Sequence, residues 1–374
     1  FTLMDTLFAI RKLYMALYKF NLFQYFGLPS FSWATFIRQM ELQGIRPHLF
    51  KEGEMDRVCF YMGGVRGGPS GSMLRHSKAN NPAVDDYDPE KPYTALIYED
   101  ANNLYGWAMC QHLPYRNFRW VDPAKYKHLE NNTEGFLAWL KANYSDEKRN
   151  GCGVECDLYA PPAIHDKTAY YPLAPVTGTI SEEHLSEFQK EMHKKAGSKH
   201  DGKSCLLLQD LLPKKYYKCY YKNLIFYLEK GMKITNIHRI NEFDVIKLME
   251  QNIMINQRER EKADNDADRT SLKQLNNSGF GKCLESERNY AELLFASTEE
   301  DYNEAVRNPG FNGYCFLSDC LMVARMSHTS FTLSKPIYLG ATITELAKLH
   351  MYEFYYDVLQ KHFGWQNVRL CMTD

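Results

Sequence analysis

Apolar residues near the start of the chain recur at steps of three and four, which is the spacing of an amphipathic helix. The stripe consists of Leu7, Ile10, Leu13, Leu17 and Phe20. This pattern predicts a helix over residues 2–25, and Gly27-Leu-Pro29 is expected to break it.

Helical patterns return in the second half of the chain. One predicted helix runs from an Asn241 cap to about Lys262, and a turn over Asp264–Asp268 leads to a second helix over Thr270–Glu285. Because so short a turn joins them, we expect these two helices to pair antiparallel. A later helix is predicted near Thr344–Gln360.

Alternating, β-branched or aromatic stretches predict short strands at Tyr93–Tyr98, Gly153–Tyr159 and Val368–Met372. The glycine-rich residues 61–73 predict a loop, or a place where the backbone approaches another group closely. A flexible linker is the alternative interpretation of that stretch.

Composition narrows the function classes. The net charge of −1 argues against a basic protein that coats DNA, because such proteins bind mainly by neutralising phosphates. It is compatible with an enzyme that has a local basic channel and an acidic metal site. The cysteines have neither a CxxC zinc spacing nor a matching His pair, which favours free thiols in a reducing compartment.

The sequence also bears on where the protein acts. No apolar run approaches the roughly 18 residues that cross a bilayer, and no secretory signal is visible. We therefore expect no membrane partner and no secretion. The ends at Phe1 and Asp374 look like cuts through a longer polypeptide.

A basic segment over residues 190–222 contains nine lysines and three acidic residues. Tyrosines interleave with its last lysines, at Lys214, Lys215, Tyr216, Tyr217, Lys218, Tyr220, Tyr221 and Lys222. Lysines suit phosphates and tyrosines suit sugars or base faces, so the segment predicts a nucleic-acid contact. A solvated helix face is the alternative.

Two carboxylates end predicted strands. Asp100 follows Tyr93–Tyr98, where its carboxylate could bind a cation, and the next turn holds Tyr105 nearby. Asp374 follows the last predicted strand and could supply a second carboxylate beside Asp100. A strand-to-turn junction with solvated acids is the alternative.

One face of the predicted helix over Thr270–Glu285 carries a cation, an amide, an aromatic ring and a bare backbone in order. These are Lys273, Asn277, Phe280 and Gly281. A lysine can hold a triphosphate, a ring can lie against a base, and a glycine lets a duplex come close. A glycine-kinked surface helix is the alternative.

Three segments resemble, in order, motifs A, B and C of family B DNA polymerases. They are DANNLYGWAM at 100–109, NNSGFGKCLE at 276–285 and LCMTD at 370–374. The protein-primed branch is the most similar, especially the polymerases of Maverick/Polinton-type transposons and related viruses. GGVRGGPSG at 63–71 resembles the glycine-rich loop between exonuclease and palm, and the resemblance covers essentially the whole chain.

The resemblance implies an α+β fold, with a palm of antiparallel strands and helices, two terminal-protein-region insertions and helical-hairpin fingers, and with the thumb missing. The implied parts are the tail of a 3′–5′ exonuclease domain (1–50), palm with motif A (51–120), the first insertion with adjoining palm strands (121–235), fingers with motif B (236–285), the second insertion (286–335) and palm up to motif C (336–374).

The resemblance also implies roles at the nucleotide site. Asp100 would bind two Mg²⁺ ions, with Mn²⁺ as an alternative, and two metals clamp the attacking and leaving oxygens of a phosphoryl transfer. Asp374 would be the first Asp of motif C, whose essential partner would lie two residues further on. Nucleotide contacts would come from Tyr105 as the gate against ribose, from Arg260, Lys262 and Lys273 on the triphosphate, and from Asn277, Phe280 and Gly281 around the base pair.

Further residues are expected to contact template and primer DNA. They are Arg66, Gly67, Gly68, Lys214, Lys215, Tyr216, Lys218 and Lys282. Phe1 and Asp5 resemble the third exonuclease motif, with Phe where the family has Tyr. Asp5 would then be an exonuclease remnant, and a plain helix Asp is the alternative.

The sequence therefore predicts a DNA-directed DNA polymerase that adds dNTPs to a DNA 3′ end or to a terminal priming protein. It would replicate a mobile element or virus-like genome, in the nucleus or at a viral replication site. Since one metal ligand would lie past Asp374, this chain alone is expected to be inactive. The alternative is a catalytically incomplete nucleic-acid-binding remnant of such a polymerase. A reverse transcriptase is a weaker alternative, because the NNSxFGK helix does not belong to that class of enzyme.

Overall fold

The computed structural model describes residues 2–200, 202–285, 291–327 and 332–374. The helices in these ranges are α1 (Thr2–Tyr18), α2 (Gly27–Leu42), α3 (Met55–Met62), α4 (Leu104–Met109), α5 (Thr133–Asn143), α6 (His165–Thr168), α7 (Glu187–Lys195), α8 (Tyr221–Glu229), α9 (Glu250–Lys262), α10 (Asp266–Ser278), α11 (Glu299–Arg307), α12 (Ile337–Glu353) and α13 (Gln360–Phe363). The strands are β1 (Gly71–Ser72), β2 (Leu113–Trp120), β3 (Asn150–Tyr159), β4 (Val176–Gly178), β5 (Leu206–Leu208), β6 (Lys214–Tyr220), β7 (Lys233–Ile246), β8 (Ala291–Ala296), β9 (Phe311–Ser318), β10 (Leu321–Ser327) and β11 (Met372–Thr373).

A four-stranded antiparallel sheet in the order β2-β7-β3-β6 forms the centre of the molecule. Its strand β3 confirms the strand predicted at Gly153–Tyr159 and extends it to Asn150. Side chains alternate between the two faces of a strand. Cys152, Val154 and Cys156 therefore point into the core, while Glu155 and Asp157 share the opposite face.

Helix α12 packs against α3, α4, α8 and β2 and is buried on most sides, as expected for a helix inside a core. It confirms the helix predicted near Thr344–Gln360, although it begins at Ile337. A π-helical turn over Phe354–Leu359 joins it to α13. Tyr338 on α12 donates a hydrogen bond to the carbonyl of His48 at 2.7 Å.

The first two helices pack against the pair α9 and α10 through a second apolar cluster. Its buried members are Tyr14, Tyr18, Phe31, Leu272 and Leu275. The helix predicted over residues 2–25 ends earlier, at Tyr18, and Gly27 begins α2 in the left-handed region at φ 80°. Glycine here redirects the chain into a second helix.

The helix predicted from Asn241 to Lys262 is wrong in its first half. Residues 241–246 belong to β7, and α9 starts at Glu250. Asn241 lies buried inside the strand, where its Oδ1 accepts a hydrogen bond from the Tyr61 hydroxyl at 2.9 Å. Pairing with β3 along this stretch fixes the strand, so tertiary contacts override the helical spacing.

The strand predicted at Tyr93–Tyr98 is also wrong. Thr94 makes one isolated bridge with Asn80, and residues 95–98 are exposed and irregular. The strand predicted at Val368–Met372 shortens and shifts to Met372–Thr373, which pairs with Gly71–Ser72. In the described residues, no helix combines the length and apolar character needed to cross a membrane.

A separate three-stranded antiparallel sheet, β8-β10-β9, is covered on one face by α11. It falls in the part predicted as a second insertion (286–335). Residues 286–290 and 328–331 of that part, like Phe1 of the exonuclease resemblance, lie outside the described residues.

Candidate nucleotide and nucleic-acid site

Tyr105 is positioned by a tight entry into α4. Asn103 precedes the helix in the left-handed conformation, at φ 54° and ψ 50°, which asparagine tolerates better than most residues. A Cβ on Gly106 would come within 2.5 Å of the Asn103 Cγ, so a larger residue at position 106 would require the Asn103 side chain to move. The turn at Asn103 thus sets where α4 begins, and with it the position of Tyr105.

The Tyr105 ring stacks on the Phe280 ring, with centroids 4.1 Å apart and planes 15° apart. Both residues are partly buried, so part of each ring remains accessible. Burial raises the pKa of the Tyr105 hydroxyl, which therefore stays protonated at neutral pH. The structure brings together two residues that sequence reasoning assigned to one nucleotide site.

Helices α9 and α10 form the predicted antiparallel hairpin, with a shorter second helix than predicted. Asn265 caps α10 by accepting the Asp268 backbone N–H at 2.8 Å. Asn256 on α9 donates to Asn276 Oδ1 on α10 at 2.7 Å, and the Tyr18 hydroxyl donates to Asn256 Oδ1 at 2.5 Å. These buried hydrogen bonds fix the hairpin against α1.

The end of α10 presents the predicted contact residues to solvent. Lys273, Asn277 and Gly281 are exposed, and residues 280–284 continue as a 3₁₀ helix. Among the described residues, neither Lys273 nor Arg260 has an ion-pair partner. An unpaired cation can bind a phosphate without first losing a carboxylate.

The other two lysines predicted near this site have partners. Lys262 pairs with Glu259 at 2.8 Å, and Lys282 pairs with Glu285 at 2.6 Å. Their predicted roles on nucleotide and DNA therefore require these local pairs to be shared or exchanged.

The predicted metal-binding carboxylates lie on two segments that are far apart in the sequence. Asp100 is exposed and lies on the irregular segment after Thr94, and Asp374 is exposed after β11. Over the described ranges, no group of three His, Cys, Asp or Glu side chains could hold a metal ion. The glycine-rich stretch comes near Asp374, because the Met73 N–H donates to the Cys371 carbonyl at 2.8 Å.

The glycine-rich stretch predicted as a loop is one over residues 63–70, while residues 61–62 end α3 and Gly71–Ser72 form β1; its arginine points inward. Arg66 is 8% exposed, its Nη1 donates to the Lys218 carbonyl at 2.7 Å, and its guanidinium lies 4.1 Å from the Tyr217 ring centroid. Gly67 and Gly68 are exposed, with open space where a Cβ would stand. Of the three DNA contacts predicted here, Gly67 and Gly68 are therefore accessible, whereas Arg66 is buried.

The basic Lys/Tyr segment forms strand β6 and the start of α8, so the solvated helix face is wrong for residues 214–220. Lys214 is buried and pairs with Asp210. Lys215 pairs with Asp157 at 3.0 Å, and Lys218 pairs with Glu155 at 2.9 Å. Tyr216 is 62% exposed.

Sequence reasoning missed the partners of these lysines. Glu155 and Asp157 on β3, with His238 and Arg239 on β7, form ion pairs with one another and with β6. The sequence did contain a signal for this pairing, because the acidic residues stand at every second position of β3 and the lysines recur along β6. Asp5, by contrast, is exposed in the first turn of α1.

Solved structures of Phi29 DNA polymerase are similar to this chain over most of its length. The orthorhombic crystal form has 13% identity and a TM-score of 0.46, covering 92% of this chain and 47% of that chain. The post-translocation binary complex with primer-template DNA has 14% identity and a TM-score of 0.46, with coverage of 92% and 47%. The ternary complex with DNA and incoming nucleotide has 13% identity and a TM-score of 0.44, with coverage of 89% and 46%.

The chain thus spans about half the length of these structures. No protein-family model matches it, and no curated protein matches it. The values describe a distant likeness in backbone arrangement, and such a likeness alone assigns no activity.

Proposed function

We propose that this chain is the palm and fingers portion of a family B DNA polymerase of the protein-primed branch. The observation that carries the proposal is the Tyr105–Phe280 stack, because it joins the motif A and motif B segments in one place. The hairpin of α9 and α10, which leads into Phe280, carries Arg260 and Lys273, and neither cation has an ion-pair partner in the part of the chain that the structure describes.

The residues at this place suit a deoxynucleoside triphosphate. Lys273 and Arg260 would neutralise the charge of the phosphates as it develops. Phe280 and Asn277 would lie against the base pair, and Tyr105 would exclude a ribose hydroxyl by volume. A Cβ added to Gly281 would meet no atom within 4 Å, which leaves room for a duplex.

The donor set for a metal is partly present. The Asp100 carboxylate is exposed and, within the described ranges, has no hydrogen-bond or ion-pair partner, which suits a hard cation such as Mg²⁺ or Mn²⁺. Asp100 would hold the metal that supplies charge stabilisation for phosphoryl transfer, and Asp374 would have to come beside it to share that metal.

The partners of this function are template and primer DNA, dNTPs and a terminal priming protein. DNA would run past Gly67, Gly68 and Lys282. Replication of a mobile element or virus-like genome, in the nucleus or at a viral replication site, is the setting that the sequence resemblance favours.

Nucleotide binding by the chain tests the site directly. We expect Lys273→Ala to weaken binding of a fluorescent dNTP about tenfold or more, since a hydrogen-bonded charge contributes about 1.5–3 kcal/mol. Arg269→Ala is the matched control: Arg269 lies one turn earlier on α10 and is held by the Ala263 carbonyl at 2.9 Å. Equal loss in both variants would contradict a specific phosphate contact at Lys273.

Primer extension by the full-length protein tests the activity. Asp100→Asn should abolish Mg²⁺-dependent incorporation while leaving DNA binding intact. Full incorporation by this variant would remove Asp100 from the metal site.

A second candidate is a nucleic-acid-binding remnant without incorporation. The position of Asp100 on an exposed segment outside any strand favours it. Primer-template binding without extension by the full-length protein would support this candidate, and robust extension would exclude it.

A further inference from the structure

Tyr216 has an unusual conformation for an exposed aromatic residue. Its φ is 49°, in the left-handed region that bulky side chains rarely adopt, and the residue is 62% exposed. Its ring stacks on the His238 imidazole, with centroids 4.2 Å and planes 21° apart. Since His238 covers one face of a ring that is mostly exposed, the other face is open to solvent.

The Asp157 carboxylate holds this arrangement in place. It accepts the Tyr216 backbone N–H at 2.8 Å, His238 Nε2 at 2.8 Å and Lys215 Nζ at 3.0 Å. Burial alone would raise the pKa of Asp157, but these three donors outweigh it and lower the pKa. Strain of this kind persists where neighbouring contacts over-determine the backbone, and it concentrates at functional sites.

The charges on this face are layered. The carboxylates lie inside, with side chains of Glu155 and Asp157 only 8% and 6% exposed, whereas those of Lys215 and Arg239 are 69% and 38% exposed. Glu155 is shared by Lys218 at 2.9 Å and Arg239 at 2.5 Å.

Three permanent cations thus share two carboxylates. Counted over these five side chains, one net positive charge remains. Lys215 and Arg239 are the most exposed of the five, so an approaching phosphate meets them first.

One partly exposed aromatic ring, that of Trp120, borders the cations. The Arg239 guanidinium lies 4.9 Å from the Trp120 ring centroid, and Trp120 packs edge-on against Phe60. Glu155 and Asp157 are two residues apart on β3, so their partners Arg239, Lys218, Lys215 and Tyr216 belong to one face of the sheet.

We propose that this face, which we call the Tyr216 platform (Lys215, Tyr216, Lys218, His238 and Arg239), binds single-stranded nucleic acid. An unstacked base lies on the open face of Tyr216, and the flanking phosphates meet Lys215 and Arg239. A duplex is a poor fit, because its bases already stack on each other, and an acidic peptide has no need of a pre-oriented ring. The inference rests on the proposed function only in naming the strand as a DNA template.

The test is fluorescence anisotropy of labelled oligothymidylate and oligouridylate with the chain, without nucleotide or metal ion. Tyr216→Ala should weaken binding about five- to hundredfold, the range for loss of one base stack, and Tyr216→Phe should retain it. Tyr314→Ala, on a 53% exposed tyrosine of the other sheet, should bind as the unaltered chain does. Lys215→Ala should weaken binding and reduce its salt dependence.

Retained affinity in Tyr216→Ala would overturn the proposal. Circular dichroism verifies folding. If Tyr216→Ala proves unfolded, Tyr216→Leu, which keeps an apolar side chain but removes the aromatic ring, replaces it and should weaken binding, and retained affinity in that variant would equally overturn the proposal. Tight binding of polyglutamate that depends on Lys215 but not on Tyr216 would assign the face to an acidic protein instead.

The two oligonucleotides separate the sources of the strand. Preference for oligothymidylate, or equal binding, supports a DNA template, and exclusive binding of oligouridylate contradicts it. If the chain binds oligothymidylate but no dNTP, the proposed nucleotide site is contradicted, whereas the Tyr216 platform is still supported.

Discussion

The rings of Tyr105 and Phe280 lie parallel and 4.1 Å apart, although one residue opens α4 and the other follows α10. Parallel stacking of this kind contributes about 0.5–1.5 kcal/mol beyond area burial. The stack therefore links the segment that carries Asp100 to the hairpin that carries Lys273.

A double-mutant cycle measures this link. Tyr105→Ala and Phe280→Ala should each destabilise the chain to urea, and the double variant should lose less than the sum by about 0.5–1.5 kcal/mol. Tyr105→Phe, which keeps the ring and removes the hydroxyl, serves as the control and should behave like the unaltered chain. Strict additivity of the two alanine variants would show that the stack contributes nothing.

Alanine at the two glycines that flank Phe280 should change the free energy of unfolding by different amounts. A Cβ on Gly279 would overlap the Phe36 ring and come within 2.6 Å of Ser32 Oγ, whereas Gly281 has nothing within 4 Å. Gly279→Ala should cost about 1–3 kcal/mol of unfolding free energy through overpacking. Gly281→Ala should stay within about 0.5 kcal/mol, as for an exposed position.

Primer-template binding should distinguish the same two variants in a second way, because here Gly281→Ala is the one expected to show a loss. If Gly281 leaves room for the duplex, Gly281→Ala should weaken primer-template binding at unchanged thermal stability. A Gly281→Ala variant that unfolds early but binds normally would contradict this assignment of open space.

Local signals in the sequence were sufficient where one segment determines its own conformation. The glycines of residues 61–73 predicted the loop that covers 63–70, the alternation at Gly153–Tyr159 predicted a strand, and the short turn expected at Asp264–Asp268 predicted a helical hairpin, whose second helix begins at Asp266. In each case the turn chemistry or the side-chain period agrees with the final structure.

The secondary-structure predictions were wrong where contacts with distant segments determine the conformation. Phe243, Ile246 and Met249 fit a helical stripe, but pairing with β3 up to Asp244 and with β2 up to Ile246 makes this stretch a strand. Tyr93–Tyr98 has strand composition, yet beyond the bridge at Thr94 it has no neighbouring strand among the described residues. Strand propensity needs a partner, and the sequence does not name one.

The candidate site divides in the same way. Resemblance to polymerase motifs pointed to Tyr105 and Phe280, and the structure brings them into contact. The buried carboxylates that pair with Lys215 and Lys218 come from another strand, so the charge balance of β6 could not be read from its own residues.

A buried ion pair on α12 makes a further prediction. Lys348 and Glu345 are 1% and 3% exposed, with Nζ 2.5 Å from Oε1. Lys348 Nζ also donates to the Arg66 carbonyl at 3.2 Å. Burial lowers the pKa of Lys348, although Glu345 favours its charged form.

Removing the charge of Lys348 should leave the buried Glu345 carboxylate without its partner. Lys348→Met should cost about 3–5 kcal/mol in urea unfolding at pH 7, and the double variant Lys348→Met/Glu345→Leu should recover much of that loss. Lys190→Met, at an exposed pair with Glu187, is the matched control and should change stability little. A double variant no more stable than Lys348→Met would argue against an electrostatic cause.

The buried tyrosines predict how stability depends on alkaline pH. Burial raises the pKa of Tyr14 and of Tyr171 from 10.0 to about 12. Because the folded pKa exceeds the unfolded one, each phenol stabilises the fold fully below pH 10, and that stability is lost as the pH rises toward 12. Solvent-exposed tyrosines ionise at about pH 10, and their ionisation does not lower the stability of the fold in this way.

Tyrosinate absorbance and circular dichroism, followed together through an alkaline titration, should therefore show two phases. The first phase should leave the fold intact, and the second should coincide with unfolding. Tyr14→Phe should move the unfolding midpoint to higher pH, whereas Tyr93→Phe, at a 69% exposed position, should not. Complete ionisation of all tyrosines with an unchanged dichroism spectrum would contradict the burial of these hydroxyls.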